Sequence, residues 1–181
     1  MKTWRVIMAL SLLLLSGCLV TFKDPIPARE AAPAGLLGQW TSKNAWGEPL
    51  ELDITRAGAH RYKAVSYRKG DRRHGDEYTV TVTHHGSRWY LSAKLPAKYG
   101  ADYGIGGFEL TRSGELVVYS LDMDRVGQWV EQGSLAGQPV ENETGKGLLI
   151  TSPLEQVFGY LDDPANSDVF QEVARYRRVA E

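Results

Sequence analysis

The stretch YTVTVTHHGSRWYLSA, residues 78–93, decides the fold of this 181-residue chain. Apolar side chains alternate with threonines from 78 to 83, and apolar side chains alternate with more polar ones from 88 to 93. This period of two is typical of antiparallel strands that have one buried face and one face in water. His85-Gly86-Ser87 supplies a turn signal between the two halves. The stretch therefore predicts two antiparallel strands joined by a short turn.

The same alternation recurs over residues 50–55. Further turn signals stand at Ala57-Gly58, Lys69-Gly70-Asp71 and Ser113-Gly114-Glu115. Closely spaced strands with short turns are typical of a meander that closes on itself. We therefore predict a mainly β chain of the β-rich α+β class. Its single domain, over residues 36–181, is an antiparallel meander that closes into a small barrel or a sandwich.

Two helices are predicted after the mid-chain strands. The first begins at Asp122, and its apolar stripe at helical spacing runs as far as Gly133, which is a stop signal. Ser152-Pro153-Leu154-Glu155 combines an N-cap, a proline at the first helical position and a capping-box Glu. This motif predicts a second helix, which Asp163-Pro164 ends. Residues 172–180 are expected to return as a closing strand.

Gly38-Gln39-Trp40 opens the first predicted strand of the folded part. A Gly-x-Trp at this position, followed by a strand meander and a late helix, resembles the pattern of the lipocalins and wider calycins. The resemblance implies an eight-stranded barrel whose closed end is plugged by the tryptophan. It also implies that a late arginine packs across the ring, a cation–π contact worth ~0.5–2 kcal/mol. Trp40 and Arg178 are the candidate barrel-closing pair, and Arg175 and Arg177 are the alternative arginines.

The sequence departs from the lipocalin pattern at two places. Lipocalins commonly carry Thr-Asp-Tyr at a mid-barrel turn, where this chain has Ala101-Asp102-Tyr103. The predicted helix from Asp122 to Gln132 has no lipocalin counterpart. A different small antiparallel barrel or sandwich, with Trp40 as an ordinary core residue, therefore stays open. A shared fold would not fix a shared function.

The N-terminus is built like a secretory signal. Two basic residues precede an apolar run over residues 6–15, which is too short to span a bilayer. The run ends in Leu15-Ser16-Gly17-Cys18, which resembles the lipobox of bacterial lipoproteins. The resemblance implies a signal peptide over residues 1–17, cleavage between Gly17 and Cys18, and a covalent lipid on Cys18. No other cofactor is expected.

The position after the cysteine bears on localisation. By resemblance to the sorting rule of Gram-negative lipoproteins, Leu19 instead of Asp implies delivery to the outer membrane, with the domain expected to face the periplasm. Residues 18–35 contain three prolines among alanines and charged residues, and we predict an extended tether there. Removal of the two basic residues of the signal changes the formal net charge from −1 to −3. This balance argues against a nucleic-acid partner.

No motif points to catalysis or to a metal. His84 and His85 are adjacent on a predicted strand, so their side chains point to opposite faces and cannot chelate one metal. The run from Asp122 begins like a calcium loop but has Val126 where an oxygen ligand is needed. Residues 104–107 are rich in glycine and are predicted to form a bulge or a loop rim.

The small residues Ala64, Ser66 and Ala93 lie in predicted strands whose other residues are large, and the chain has nine tyrosines. Small and aromatic side chains together suit a ligand pocket in a barrel, and equally suit a packed β core. The leading hypothesis is a non-catalytic envelope lipoprotein that is anchored by its lipid and binds a small apolar or amphipathic ligand.

Two other hypotheses stay open. An accessory lipoprotein would dock on an envelope protein complex through an edge strand or through the basic loop at residues 68–74. An enzyme would need His84 or His85 in a cleft with a carboxylate nearby.

Overall fold

The computed structural model of the chain describes residues 19–44 and 46–180. The predicted signal, Gly17 and Cys18 lie outside the described residues. Two helices are α1 (Met123–Glu131) and α2 (Leu154–Leu161). The strands are β1 (Leu19–Phe22), β2 (Gly38–Lys43), β3 (Pro49–Gly58), β4 (Arg61–Arg68), β5 (Asp76–His85), β6 (Arg88–Lys94), β7 (Tyr103–Leu110), β8 (Glu115–Leu121), β9 (Gly137–Asn142), β10 (Gly145–Ile150) and β11 (Phe170–Arg178).

Eight of these strands form a closed antiparallel barrel. Strands β2 to β8 pair in sequence order as a meander, and β11 closes the barrel between β8 and β2. Because side chains alternate along each strand, Trp40, Leu52 and Ser66 stand opposite one another on the inner face. The structure confirms the predicted β-rich class, the antiparallel closure and the two helices. The strand number equals the one that the lipocalin resemblance implies.

The remaining strands form a small sheet outside the barrel, which the sequence did not predict. Strand β1 runs parallel to β10, β10 runs antiparallel to β9, and β1 joins the barrel where Phe22 pairs with Tyr103. This sheet and both helices enclose a second hydrophobic core against the outer face of the barrel. Tyr90 and Ile105 of the barrel belong to that core, together with Val126 of α1 and Phe158 of α2.

The prediction of an extended tether is wrong for residues 19–35. Besides the pairing of β1, Ile26 is only 1% exposed. The Ile26 amide donates to Ser92 Oγ at 3.0 Å, and its carbonyl accepts from Thr81 Oγ1 at 2.6 Å. Farther along, the Glu30 carboxylate accepts from the Thr83 hydroxyl and from a backbone amide of β5. The prolines favour an extended backbone here, but the buried Ile26 side chain and these hydrogen bonds hold the segment on the barrel wall.

The helix starts differ in how well the sequence predicts them. The Asp122 carboxylate accepts from the Arg125 amide at 3.0 Å, so it caps α1 as predicted. Ser152 does not cap α2, which begins at Leu154. The Ser152 hydroxyl is buried and accepts from the Ala136 amide at 2.6 Å, so it joins the residue after β10 to the residue before β9 instead. The predicted capping box is therefore wrong.

The glycine-rich residues 104–107 form neither a bulge nor a loop rim. All four lie within β7, in continuous register with β6. A Cβ at Gly106 would stand 2.7 Å from the Tyr119 carbonyl oxygen, so only glycine fits this close approach to β8.

Candidate functional site

The interior of the barrel is hollow. A cavity of about 470 Å³ extends from Leu36 at one end of the barrel to Asp122 at the other. Most of its wall is apolar, and it includes Leu52, Leu91 and Val118. These inward side chains are only partly buried because they face the cavity instead of one another. The volume lies within the range of about 300–1,000 Å³ that is typical of small-molecule sites.

Small side chains leave this space open. Ala93 of β6 stands opposite Gly104 of β7, and Ala64 and Ser66 occupy the inner face of β4. Gly106 continues the series along β7. The sequence singled out three of these five residues as pocket candidates, and all three line the cavity.

Tyrosine hydroxyls supply much of the polarity of the inner wall. Tyr62, Tyr78 and Tyr176 line the cavity. Burial raises the pKa of Tyr78 and of Tyr176 above the usual value, so both phenols stay neutral near neutral pH. The Tyr62 hydroxyl accepts a hydrogen bond from the Ala32 amide at 2.8 Å. The wall can therefore solvate an apolar group and donate a few hydrogen bonds, and the described residues that line it include no Lys, Arg or His to pair with an anion.

The cavity reaches solvent at the end of the barrel where β8 passes into α1. The exposed residues Asp124 and Gln171 line it there, beside Met123. Strands β7 and β8 pair only over residues 107–110 and 116–119, and they separate toward this end. Leu19 and Val20 of β1 also line the cavity. The sequence did not indicate that any of these residues would line a mouth. It did predict that Asp122, beside the mouth, caps α1.

The opposite end of the barrel is covered by Trp40, which is 1% exposed. The structure brings Arg178 onto this ring, with 4.3 Å between the guanidinium carbon and the ring centroid. The guanidinium also donates to the Leu37 carbonyl at 2.9 Å and to the Gly35 carbonyl. A Cβ at Gly38 would stand 2.5 Å from Arg178 Nη1, which explains the glycine of the Gly-x-Trp motif.

The two adjacent histidines point to opposite faces, as predicted. His84 packs on Trp89, whereas His85 stacks on Phe158 of α2. His85 Nδ1 also contacts the Asp162 carboxylate, which accepts from the Tyr90 hydroxyl at 3.1 Å.

This trio of His85, Asp162 and Tyr90 holds the end of α2 against the barrel wall. None of His84, His85 and Asp162 lines the cavity. Within residues 19–44 and 46–180, no cluster of three or more His, Cys, Asp or Glu side chains is arranged to hold a metal ion.

Part of the charge of the basic loop at residues 68–74 is paired with carboxylates of the same chain. Arg72 pairs with the buried Asp53 carboxylate at 2.8 Å and lies over the Tyr67 ring. The Tyr67 hydroxyl donates to the same carboxylate at 3.2 Å. His74 pairs with Asp71 in the loop itself. Arg72 therefore reaches back to the outer face of β3 and β4, while residues 69–74 of the loop are all exposed to solvent.

Over the part of the chain that the structure describes, none of the helices has the length and apolar character needed to cross a membrane. Comparisons of the chain with protein-family models, with curated proteins and with solved structures gave no match. The fold and the cavity are therefore the basis on which a function can be argued.

Proposed function

We propose that this chain is a non-catalytic envelope lipoprotein whose barrel binds a small apolar or amphipathic ligand in its central cavity. The observation that carries the proposal is the cavity of about 470 Å³ inside the barrel. A barrel that served only as a scaffold would gain stability by filling this volume, because empty space costs dispersion and transfer free energy. Its small residues at Ala64, Ala93 and Gly104 keep the space open at that cost.

The chemistry of the wall supports the class of ligand. Aliphatic side chains such as Leu52 and Leu91 favour an apolar body, and the neutral hydroxyls of Tyr62 and Tyr78 suit one polar group. A strongly anionic ligand would meet Asp122 and Asp124 at the mouth. An apolar or amphipathic molecule without a strongly anionic group is therefore the better fit.

The lipid anchor is the second part of the proposal. Leu15-Ser16-Gly17-Cys18 has the features of a lipobox, and Cys18 is the only cysteine of the chain. A lone cysteine in an oxidising compartment would otherwise leave a free thiol open to oxidation, and lipidation would consume this thiol. With Leu19 at the next position, outer-membrane delivery and a periplasmic orientation complete the proposal.

The test is a titration with an apolar dye whose fluorescence rises in a dry pocket. Ala93→Phe places a large ring in the cavity, and Thr79→Phe places the same ring on the outer face of neighbouring β5. We expect the wild type and Thr79→Phe to bind the dye, and Ala93→Phe to lose at least tenfold in affinity. Equal affinities for all three folded proteins would refute the ligand site.

Docking on an envelope protein complex is the alternative function. Arg72 and His74 of the basic loop already pair with carboxylates of this chain, which lowers the charge that the loop offers to a partner. The outer edge of β9 is the remaining candidate surface. It carries Pro139 and Glu141, and both residues disfavour the addition of another strand. The cavity therefore makes ligand binding the stronger proposal.

A further inference from the structure

The hydroxyl of Ser66 differs from the other buried serine and threonine hydroxyls that the structure describes. Those of Thr21, Ser92 and Ser152 each form a hydrogen bond within this chain. Ser66 is only 5% exposed and lines the cavity, and its hydroxyl has no hydrogen-bond partner among the described residues. Buried polar groups are nearly always hydrogen-bonded, because the loss of water without a new bond costs free energy. The Ser66 hydroxyl is therefore left to bind whatever occupies the cavity.

The hydroxyl of Tyr176 has the same property. Tyr176 is 8% exposed and lines the cavity, and within the described part of the chain its hydroxyl has no hydrogen-bond partner. The buried hydroxyls of Tyr67 and Tyr90, on the outside of the barrel, both donate to carboxylates. Burial alone raises the pKa of Tyr176 above the usual value, so this phenol keeps the proton that it can donate.

These hydroxyls come from opposite walls of the barrel. Tyr78, whose hydroxyl also has no partner among the described residues, lies on the same wall as Ser66. Ala64 pairs with Tyr78 and Ser66 pairs with Asp76, so Ser66 and Tyr78 are diagonal neighbours on the inner face of β4 and β5. Strands β4, β3 and β2 separate β5 from β11, which carries Tyr176. Four steps around an eight-stranded barrel lead to the opposite wall.

An acceptor oxygen on the ligand would satisfy these donors. A carbonyl oxygen has two lone pairs and no proton, so it can accept from two hydroxyls at once. An anion is disfavoured, because the described wall contains no Lys, Arg or His and because Asp122 and Asp124 line the mouth. We infer that the ligand is an uncharged apolar molecule with a carbonyl oxygen, as in a ketone or an ester, and that Ser66 and Tyr176 determine this specificity. The inference rests on the proposed function and names the polar group of its ligand.

The experiment measures displacement of the apolar dye by two probes of the same shape. One is a long-chain methyl ketone, and the other is the alkene in which a methylene group replaces the carbonyl oxygen. The test variant is Ser66→Ala/Tyr176→Phe. The control, Tyr67→Phe/Ser92→Ala, removes the same two groups from buried side chains on the outer face of the barrel.

Each probe is compared across the three proteins, so the different solubilities of the probes in water cancel. We expect the ketone to lose at least fivefold in affinity for the test variant and less than twofold for the control, since each lost hydrogen bond costs several-fold in affinity. The alkene should bind all three proteins within twofold. An unchanged ketone affinity, or an equal loss for both probes, would overturn the inference.

Infrared spectra of the bound ketone provide a second measurement. Hydrogen bonds to a carbonyl oxygen lower its stretching frequency. We expect the frequency in the wild type to lie below that in an alkane solvent, and to rise in the test variant but not in the control. The same frequency in all three proteins would show that the hydroxyls bind only water, and this result would overturn the inference.

Thermal unfolding without ligand tests whether the two hydroxyls lack partners. The test variant should melt at the same temperature as the wild type or higher, whereas the control should melt lower because it loses the hydrogen bonds to Asp53 and Ile26. An equal decrease for both variants would overturn the inference. Binding of the dye and the alkene without the ketone effect would overturn it too, and would leave the proposed ligand site intact. A folded wild type that binds none of the three would overturn both proposals.

Discussion

Arg178 lies over Trp40, with its guanidinium carbon 4.3 Å from the ring centroid, although 138 residues separate the two in the chain. The same guanidinium binds the carbonyls of Gly35 and Leu37. Strand β11 is thereby joined to the segment that leads into β2, at the point where the barrel closes. The pair holds one end of the barrel shut, while the cavity opens at the other end.

Removal of this arginine should weaken the closure. Arg178→Ala loses a cation–π contact worth ~0.5–2 kcal/mol and two hydrogen bonds from a charged donor. We expect the free energy of unfolding to fall by about 1–3 kcal/mol in denaturant titrations. The control is Arg177→Ala, because the Arg177 side chain is 81% exposed and should cost less than about 0.5 kcal/mol. Equal losses for the two variants would show that the contact between Arg178 and the Trp40 ring adds nothing to the free energy of unfolding.

The N-terminal segment should behave as part of the core. Ile26 is 1% exposed and belongs to the core between the barrel and the outer layer. Ile26→Ala should therefore lower the free energy of unfolding by about 2–4 kcal/mol, through lost burial and a new cavity. Lys23→Ala, in the same segment but exposed, should have little effect. A free tether would make both substitutions neutral.

Stability should decline at alkaline pH through Tyr67. Burial, reinforced by the nearby Asp53 carboxylate, raises the pKa of Tyr67 to about 12. The unfolded phenol titrates near pH 10. Between these two values the unfolded chain has lost a proton that the folded chain keeps, so the free energy of unfolding falls as pH rises. The contribution is fully present below about pH 10.

The measurement is a series of denaturant titrations between about pH 9 and pH 12, on the wild type and on Tyr67→Phe. Other buried tyrosines contribute to the wild-type slope, and the variant isolates the share of Tyr67. We expect a shallower decline for Tyr67→Phe, even though it loses the hydrogen bond to Asp53 and starts from a lower stability. Parallel curves for the two proteins would contradict the assigned shift.

Asp162 should stabilise the fold and take no part in ligand binding. Asp162→Ala leaves the Tyr90 hydroxyl and His85 without their carboxylate partner, and we expect a loss of about 1–3 kcal/mol in the free energy of unfolding. The affinity for an apolar dye should not change, because Asp162 does not line the cavity. Glu155→Ala on the exposed face of α2 should cost about 0.5 kcal/mol or less. A loss of dye binding in folded Asp162→Ala would assign this cluster to the ligand site.

The barrel could be predicted from the sequence because apolar and polar side chains alternate between the two faces of several strands. Residues 78–83 alternate strictly, with the apolar side chains on the inner face and the threonines on the outer face. Asp122 was predictable as a helix cap because the capping hydrogen bond is local. Long-range contacts leave weaker signals. The proline-rich segment before β2 gives no sign that Ile26 will be buried, because one apolar residue has no period.

The cavity could be predicted only in part. Small residues at Ala64 and Ala93 indicate space, but whether the space stays empty depends on the side chains that the other strands place around it. The mouth could not be predicted, because Asp124 and Gln171, which line it, belong to separate elements of the chain. Gly104 and Gly106 did carry a usable signal. Two glycines at a spacing of two on a strand leave one face of the barrel wall without side chains.

The most direct test of the account is native mass spectrometry of the chain from residue 19 to residue 181, purified gently from its own host without the lipid anchor. A shorter chain that begins at Leu36 would lack β1 and Ile26, so it is unsuitable. We predict an added mass that survives desalting, leaves on denaturation and is absent from Ala93→Phe but present in Thr79→Phe. A bare polypeptide mass in the folded wild type, with no dye binding in solution, would contradict the account.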